Sequence, residues 1–362
     1  MKAAVCYESH KPLMVEEVEL SPPKADEVEV RLVGAGVCHS DYHFVDGHIT
    51  STTLPLVLGH EGAGVVTKVG PGVNTVLPGD HIIFSMDAMC GYCRNCTLGR
   101  PTLCETYGRV FTMPDGTTRF SKDGVPYYSM VGIGTFADRT VVSADRVVKV
   151  RDDVPLEKAC LIGCAVITGV GSVIHRAKVE AGTTVVVFGC GGVGLNVIQG
   201  AILASAAKII AVDTVEFKLE KAREMGATDV INASLVEPGP RIAEITGGGA
   251  DYAFEVVGWP DLVVQAFKSI RPGGTAVMVG VQPPETKITI DAWDLFHDRA
   301  LIGAFHGSAM PRVDFPWLLD LYMDGRIKLD ELITRYRPLD EINEAFEDMN
   351  NGITARTVLT FG

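Results

Sequence analysis

Apolar positions fall into two rhythms along the chain. Over roughly the first 150 residues they come in short Val/Ile-rich runs, VEVRLVGAGV (28–37), GAGVVTKVG (62–70) and DHIIFSM (80–86), separated by Gly and Pro. Such runs between turn residues predict the strands of a barrel or rolled sheet. After about residue 165 the rhythm changes. TTVVVFG (183–189) is continuously apolar, and the glycines after it lead into the helical stretch VGLNVIQGAILAS. KIIAVD (208–213), the charged helix VEFKLEKAREMGA, DVIN, DYAFEVVG, GTAVMVG and RALIGAF follow, several with helical segments between them. Six such strands predict a parallel sheet covered on both faces, the α/β doubly wound arrangement. The C-terminal segment of about 57 residues loses this rhythm. FPWLLDLYMDG and LDEINEAFEDMNNG predict helices, and ARTVLTFG predicts a closing strand. This segment is expected to return to the first domain, which makes the parallel-sheet domain an insertion at roughly 166–305. There is no internal repeat and no low-complexity segment.

Bulk properties narrow the partners. A chain of 362 residues is long for one hydrophobic core and predicts two domains. Its formal net charge of −13 argues against nucleic acid or an anionic membrane as partner, because both attract positive charge. The N-terminus has no apolar run of the signal-peptide kind, and no stretch approaches the ~20 apolar residues that span a bilayer. The expectation is a cytoplasmic protein. In a reducing compartment, clustered cysteines point to metal or catalysis and not to disulfides.

The first motif with chemistry is GCGGVG, carrying Gly189, Gly191 and Gly194, with Gly192 and Val193 between the last two. A bare GxGxxG says little, but this one follows an apolar strand and opens a helix. The first glycine permits a tight turn, the second lets a pyrophosphate approach the backbone, and the third lets helix and strand close up. The helix N-terminus then offers free N–H groups to phosphate. Asp213 ends the next apolar strand, 24 residues after Gly189, with Thr214 and Val215 behind it and no adjacent arginine. A carboxylate there accepts the ribose hydroxyls of NAD and repels the extra phosphate of NADP.

The second motif is Cys90-x2-Cys93-x2-Cys96-x7-Cys104. Four thiolates in one loop can close a tetrahedron around zinc and leave no open position, so this site is expected to be structural. An iron–sulfur run of the ferredoxin type has a three-residue last gap and a proline. Here the last gap is seven and Glu105 follows.

The third is dispersed. Cys38 lies in GAGVCHSDYH, His60 in LGHEGAGVVTKVG and Cys164 in CLIGCAVITG. Two thiolates and one imidazole leave zinc one open position, the catalytic pattern, for which alcohol dehydrogenase is the standing example. Taken singly, each is more simply a core cysteine or a hydrogen-bonded histidine. Together with the cysteine loop and GCGGVG, they resemble the zinc-containing medium-chain alcohol dehydrogenase family. The resemblance runs over essentially the whole chain, is carried most specifically by GVCHSDYH and GHEGAGVVTKVGPGVNTVLPGD, and leans towards the longer class III-like and actinobacterial forms through MPDGTTRFS and CLIGCAVITGVGS.

That resemblance implies a GroES-like β-rich catalytic domain over 1–165 and 306–362 and a Rossmann NAD-binding domain over 166–305. It implies Cys38, His60 and Cys164 as ligands of a catalytic zinc, with Glu61 behind the metal as an alternative ligand and Asp41 orienting His60. Ser40 would take the alcohol proton, and His43 would pass it to water by way of the cofactor ribose. His39 stands where the family often has arginine against the pyrophosphate, a departure that would weaken cofactor binding or make it pH-dependent. Thr168 near the nicotinamide, Lys218 near the adenosine ribose and Arg356 near the pyrophosphate fall on matching positions. Val281 is a cofactor and pocket candidate, and Met86, Met130 and Val131 are pocket candidates. The implied reaction is reversible hydride transfer between a primary alcohol, aliphatic or aromatic, and NAD, with two zinc ions per subunit. The implied assembly is a homodimer, with a homotetramer as the alternative.

Three rivals compete: a thiol-dependent formaldehyde dehydrogenase acting on the glutathione or mycothiol adduct, a zinc-free quinone reductase on the same fold, and a non-enzymatic zinc ribbon. The ligand triad argues against the second, and the acidic balance with the nucleotide fingerprint argues against the third. Cys6, Cys160 and Cys190 are expected to be packing residues. His48, His81, His175, His297 and His306 lack ligand spacing.

Overall fold

The computed structural model describes residues 1–49, 53–106 and 111–361. The chain forms two compact units, one from Met1–Cys164 with Met310–Gly362 and one from Ala165–Ala309.

The first unit is built on two sheets. The larger has Gly62–Val69 and Glu27–Gly36 at its centre, paired antiparallel, with His81–Phe84 and Val147–Lys149 beyond Gly62–Val69. The apolar runs read from the sequence supply these central strands. On its other side, Glu27–Gly36 pairs with Arg139–Ser143 through its first half and with Arg356–Thr360 through its last residues. The pairing of Val358 with Gly36 brings the C-terminal strand beside Val37 and Cys38. Ile333–Pro338 runs parallel to it on the outer edge. The second sheet joins the N-terminal strands Lys2–Cys6 and Met14–Glu17 to Leu56–Val57, Val125–Ser129, Phe120–Lys122 and Glu19–Leu20. Leu32, Ile82, Phe84 and Phe136 are fully buried in the main core of this unit.

The second unit is one parallel sheet. Its strands are β1 (Thr184–Phe188), β2 (Lys208–Asp213), β3 (Asp229–Asn232), β4 (Ala250–Glu255), β5 (Ile270–Met278) and β6 (Ala300–Gly303). They lie in the order β3-β2-β1-β4-β5-β6, the doubly wound arrangement. Val185, Val186 and Val187 of β1 are fully buried in succession, as a central strand covered on both faces requires. The order reverses between β1 and β4, so the C-terminal end of β1 opens a crevice at the topological switch point. The GCGGVG turn lies at that end.

Among the described residues no single helix is long and apolar enough to cross a membrane.

Candidate active and metal centres

Cys38 follows the central strand Glu27–Gly36 and caps the helix His39–Val45 with an extended backbone. His60 and Glu61 precede the strand Gly62–Val69, and Cys164 follows the turn Cys160–Gly163. Three distant segments of the first unit thus converge, and the ligand atoms of Cys38, His60 and Cys164 lie within 4.8 Å of one another, all buried. His60 Nε2 is 3.2 Å from Cys164 Sγ. Its other ring nitrogen is 3.0 Å from Asp41 Oδ1, which also accepts the Gly59 N–H. With Nδ1–H donating to the carboxylate, the Nε2 lone pair faces the sulfurs. The Cys164 hydrogen bond, helped by His60 and Arg356, holds the Cys38 thiol well below its ordinary range. Cys164 is pushed up, because it donates to Cys38 and is buried beside that charge. Two buried sulfurs that cannot both ionise unaided, with an oriented imidazole, fit a zinc ion.

Glu61 lies behind this triad. Its carboxyl covers Gly36, where a Cβ would fall 2.6 Å from the Glu61 Cδ. Burial, opposed by Arg356, pushes the Glu61 pKa up to about 7. Arg356 Nη2 donates to Glu61 Oε2, and Nη1 donates to Val37 O at 3.1 Å. Arg356 is 6% exposed; Nη1 and Nη2 are held by the Val37 carbonyl and Glu61, while Nε has no hydrogen-bond partner. The pairing of these two residues was not legible in the sequence. The strands that Glu61 precedes and Arg356 begins flank Glu27–Gly36 on opposite sides, and their separation of 295 positions hides the contact.

Ser40 and His43, both half-buried, are three apart on the helix His39–Val45 and share a face. His39 is exposed. Met86 is half-buried and Met130 and Val131 are buried, all three belonging to or lying against the main core.

The four-cysteine loop forms a second centre. The Sγ atoms of Cys90 and Cys96 are 3.9 Å apart and those of Cys93 and Cys104 are 4.0 Å apart. Ligands at zinc–sulfur distances of about 2.3 Å stand roughly 3.8 Å apart in a tetrahedron, so the loop fits zinc. Backbone N–H groups of Cys93 and Cys96 point at Cys90 Sγ and Cys93 Sγ. Thr106 Oγ1 donates to Cys90 Sγ at 3.3 Å, a contact the cysteine spacing did not announce. Burial opposes ionisation of Cys90, but these donors bring it down to about 6, whereas burial and the neighbouring sulfurs push Cys96 up to about 12. Tyr92, Leu98 and Leu103 are exposed, so no apolar core holds this segment.

In the second unit Gly189 has φ +98°, and its N–H donates to Val212 O. A Cβ on Gly194 would fall 1.9 Å from Gly189 O, whereas one on Gly191 would meet nothing within 4 Å. The third glycine is therefore fixed by helix–strand contact, and the second leaves open space, as a phosphate-bearing ligand needs. Asp213 Oδ2 accepts the Cys190 N–H and Oδ1 accepts those of Thr214 and Val215, tying the glycine turn to the end of β2. Gly192 and Val193 open the helix Gly192–Leu203. Thr168 and Lys218 are half-buried on the helices Ala165–Gly171 and Glu216–Met225. Val281 is half exposed, and its carbonyl lies against Gly258.

Residues 24–152 match the family model described as alcohol dehydrogenase GroES-like domain, and residues 192–324 match that described as zinc-binding dehydrogenase. The chain is 44% identical over 367 residues to the NDMA-dependent alcohol dehydrogenase of Amycolatopsis methanolica, covering 99% of this chain and 98% of that protein. It superposes on an alcohol dehydrogenase zinc-binding domain protein from Burkholderia ambifaria with a TM-score of 0.95 at 35% identity, over 100% of this chain and 98% of that one. It superposes on benzyl alcohol dehydrogenase from Acinetobacter calcoaceticus with a TM-score of 0.94 at 33% identity, over 100% and 99%.

Proposed function

The chain belongs to the zinc-containing medium-chain alcohol dehydrogenase family, and from that membership we propose that it is a zinc-dependent alcohol dehydrogenase working with a nicotinamide cofactor. The observation that carries this reading is the buried Cys38, His60 and Cys164 triad with its ring tied to Asp41. Under this reading the triad holds the catalytic zinc and Cys90, Cys93, Cys96 and Cys104 hold a structural one.

Oxidation of an alcohol removes a proton from oxygen and a hydride from carbon. Zinc held by Cys38, His60 and Cys164 would supply Lewis acidity at the substrate oxygen, and a nicotinamide cofactor held by the glycine turn would supply the hydride acceptor. This chain's residues do the rest. Ser40 accepts the hydroxyl proton, and His43 relays it towards solvent. Glu61, paired with Arg356, sets the field behind the zinc ligands and stands by as an alternative ligand. Gly189, Gly191, Gly192, Val193 and Gly194 cradle the pyrophosphate, and His39 and Arg356 are further pyrophosphate candidates. Asp213 and Lys218 hold the adenosine ribose and select NAD, and Thr168 and Val281 line the nicotinamide end. Met86, Met130 and Val131 contribute to the substrate pocket. Primary alcohols, aliphatic or aromatic, are the proposed substrates, and a homodimer is the proposed assembly.

The relative named an NDMA-dependent alcohol dehydrogenase favours a second reading of the cofactor. In it the nicotinamide cofactor stays on the protein through the cycle, and an added electron acceptor closes the cycle. Three measurements on the purified protein test these readings together. One is metal content. Another is turnover of a panel of primary, secondary and benzylic alcohols, and of formaldehyde with glutathione or mycothiol, with NAD and, separately, with NDMA. The last is analysis of cofactor released on denaturation. Turnover with NAD alone supports an exchanging cofactor. Turnover only with NDMA, with nicotinamide released by denaturation, supports the retained one. Activity confined to formaldehyde plus glutathione or mycothiol would replace both by the thiol-adduct reaction.

A further inference from the structure

Beyond the triad and the cysteine loop, one other group of metal-ligating side chains converges among the described residues: His43, Asp46 and His48. Their ligand atoms lie within 4.8 Å of one another. His48 Nδ1 is 2.8 Å from Asp46 Oδ1, and His43 Nδ1 is 3.5 Å from Asp46 Oδ2. Two ligands that each sit about 2.0–2.1 Å from one ion stand roughly 3 Å apart, so the spacings suit a cation shared by the two rings with Asp46 facing it through both oxygens. In the sequence alone His48 lacks ligand spacing. The turn after the helix His39–Val45 brings it back onto His43, with the two rings 5.1 Å apart.

The arrangement is held from below by backbone. Asp46 N–H donates to Tyr42 O, Ile49 N–H to His43 O, and His48 N–H to Asp46 Oδ1. These bonds order the backbone and the Asp46 carboxylate before an ion arrives. His43 Nδ1 is also buried with no hydrogen-bond partner. A ring nitrogen turned towards a carboxylate at 3.5 Å, too far for a good hydrogen bond, has a position where a cation fits better than a proton. The His48 side chain is 51% exposed, which leaves an ion a way in from solvent.

We propose that His43, Asp46 and His48 form a third metal site, for a borderline divalent ion such as Zn²⁺ or Ni²⁺, and that its occupancy withdraws His43 from proton transfer. Two imidazoles and one carboxylate form a ligand set that zinc accepts, and nitrogen ligands favour the later transition ions over Mg²⁺ or Ca²⁺. The metal-binding half stands on the geometry alone, and the inhibitory half rests on the reading of His43 as a proton relay.

The test compares the zinc-loaded protein with His48→Ala, which alters an exposed residue outside the proposed catalytic machinery. Equilibrium dialysis against Zn²⁺ is expected to load one more ion per subunit on the natural chain than on the variant. Loss of a direct ligand should weaken that ion by about 100-fold or more, at least the 10–100-fold usual for an outer-shell partner. Equal uptake by the two proteins overturns the site. In parallel, added Zn²⁺ is expected to slow alcohol oxidation by roughly 100-fold or more in the natural chain, as loss of a proton-transfer group would, and to leave His48→Ala little changed. Extra uptake with undiminished turnover overturns the inhibitory half. If neither protein oxidises alcohols, the functional reading fails and the uptake comparison still decides the site.

Discussion

Asp41 is fully buried, accepts the Gly59 N–H and the His60 Nδ1–H through one oxygen, and leaves Oδ2 without a partner. A carboxylate in that position fixes both the angle and the tautomer of the imidazole, and so decides which nitrogen faces Cys38 and Cys164. Asp41→Ala frees the ring and orphans a buried N–H. Zinc affinity at the triad should fall by about 10–100-fold. Asp41→Asn keeps an oxygen for Nδ1–H and should lose much less. Timed zinc release to a chelator, counted separately from the cysteine-loop ion, checks both variants, with thermal melts reporting general damage. An Asp41→Ala protein that releases triad zinc at the natural rate would show that His60 needs no such tie. The triad was legible because each ligand sits in its own motif. The buried Glu61 and Arg356 pair was not, since nothing local in either segment points to the other.

The glycine turn allows a cleaner division of roles at the scale of one element. Gly194→Ala drives a methyl into Gly189 O, which is backbone and cannot swing aside, so the helix Gly192–Leu203 must lift from the sheet. Overpacking of this kind costs typically about 1–3 kcal/mol. Gly191→Ala meets nothing and should leave the melting temperature nearly unchanged, yet it fills the space a pyrophosphate would take. Cofactor titration beside thermal melts should show Gly191→Ala weak in binding but stable, and Gly194→Ala impaired in both. Unimpaired nicotinamide binding by Gly191→Ala would remove the phosphate role from this turn. The turn was readable because strand, glycines, helix and Asp213 follow in order. The central strands of the parallel sheet were readable because Thr184–Phe188 and Lys208–Asp213 carry continuous buried apolar runs, as burial on both faces demands, whereas edge strands such as Asp229–Asn232 are short and only partly buried. The first unit was readable only as short strands. Its sheet order depends on pairings such as Val358 with Gly36, which link opposite ends of the chain and leave no periodic trace. The His43, Asp46 and His48 group escaped for a related reason, since a turn and not a helical or strand period brings its members together.

At the scale of the whole molecule, the C-terminal segment is the brace of the sheet that carries Cys38. Its helix Ile342–Asn350 is tied to the strand Ile333–Pro338 by Asp348, whose Oδ2 accepts from Arg335 Nη1 and from Arg337 Nε and Nη2. That strand pairs with Arg356–Thr360, which pairs with Glu27–Gly36. Burial opposes ionisation of Asp348, but Arg337 and Arg335 outweigh it and hold its carboxyl below the ordinary range. Lys122 and Tyr7 do the same for Glu16 against its burial, and Lys68 and Thr67 for Glu29. A carboxyl whose folded pKa is depressed contributes stability that is fully present above its unfolded value of about 4 and is lost as pH falls through the folded value. Glu255 has the opposite sign. Burial raises its pKa, so the ionised form carries a cost that protonation relieves as pH drops from neutral towards the ordinary carboxyl range. The melting temperature of the zinc-loaded protein should therefore hold or rise slightly on mild acidification and then fall steeply below about pH 4. Protonation of the zinc ligands adds to that fall, so the informative quantity is a difference. Asp348→Asn, which keeps the shape but not the charge, should melt lower than the natural chain at neutral pH by an amount worth about 1–2 kcal/mol. The gap should close as acid titrates Asp348 in the natural chain. A gap that stays constant from neutral pH down to strong acid would mean that the Asp348 charge does not hold the brace, and that helix packing alone docks the C-terminal segment onto the sheet that carries Cys38.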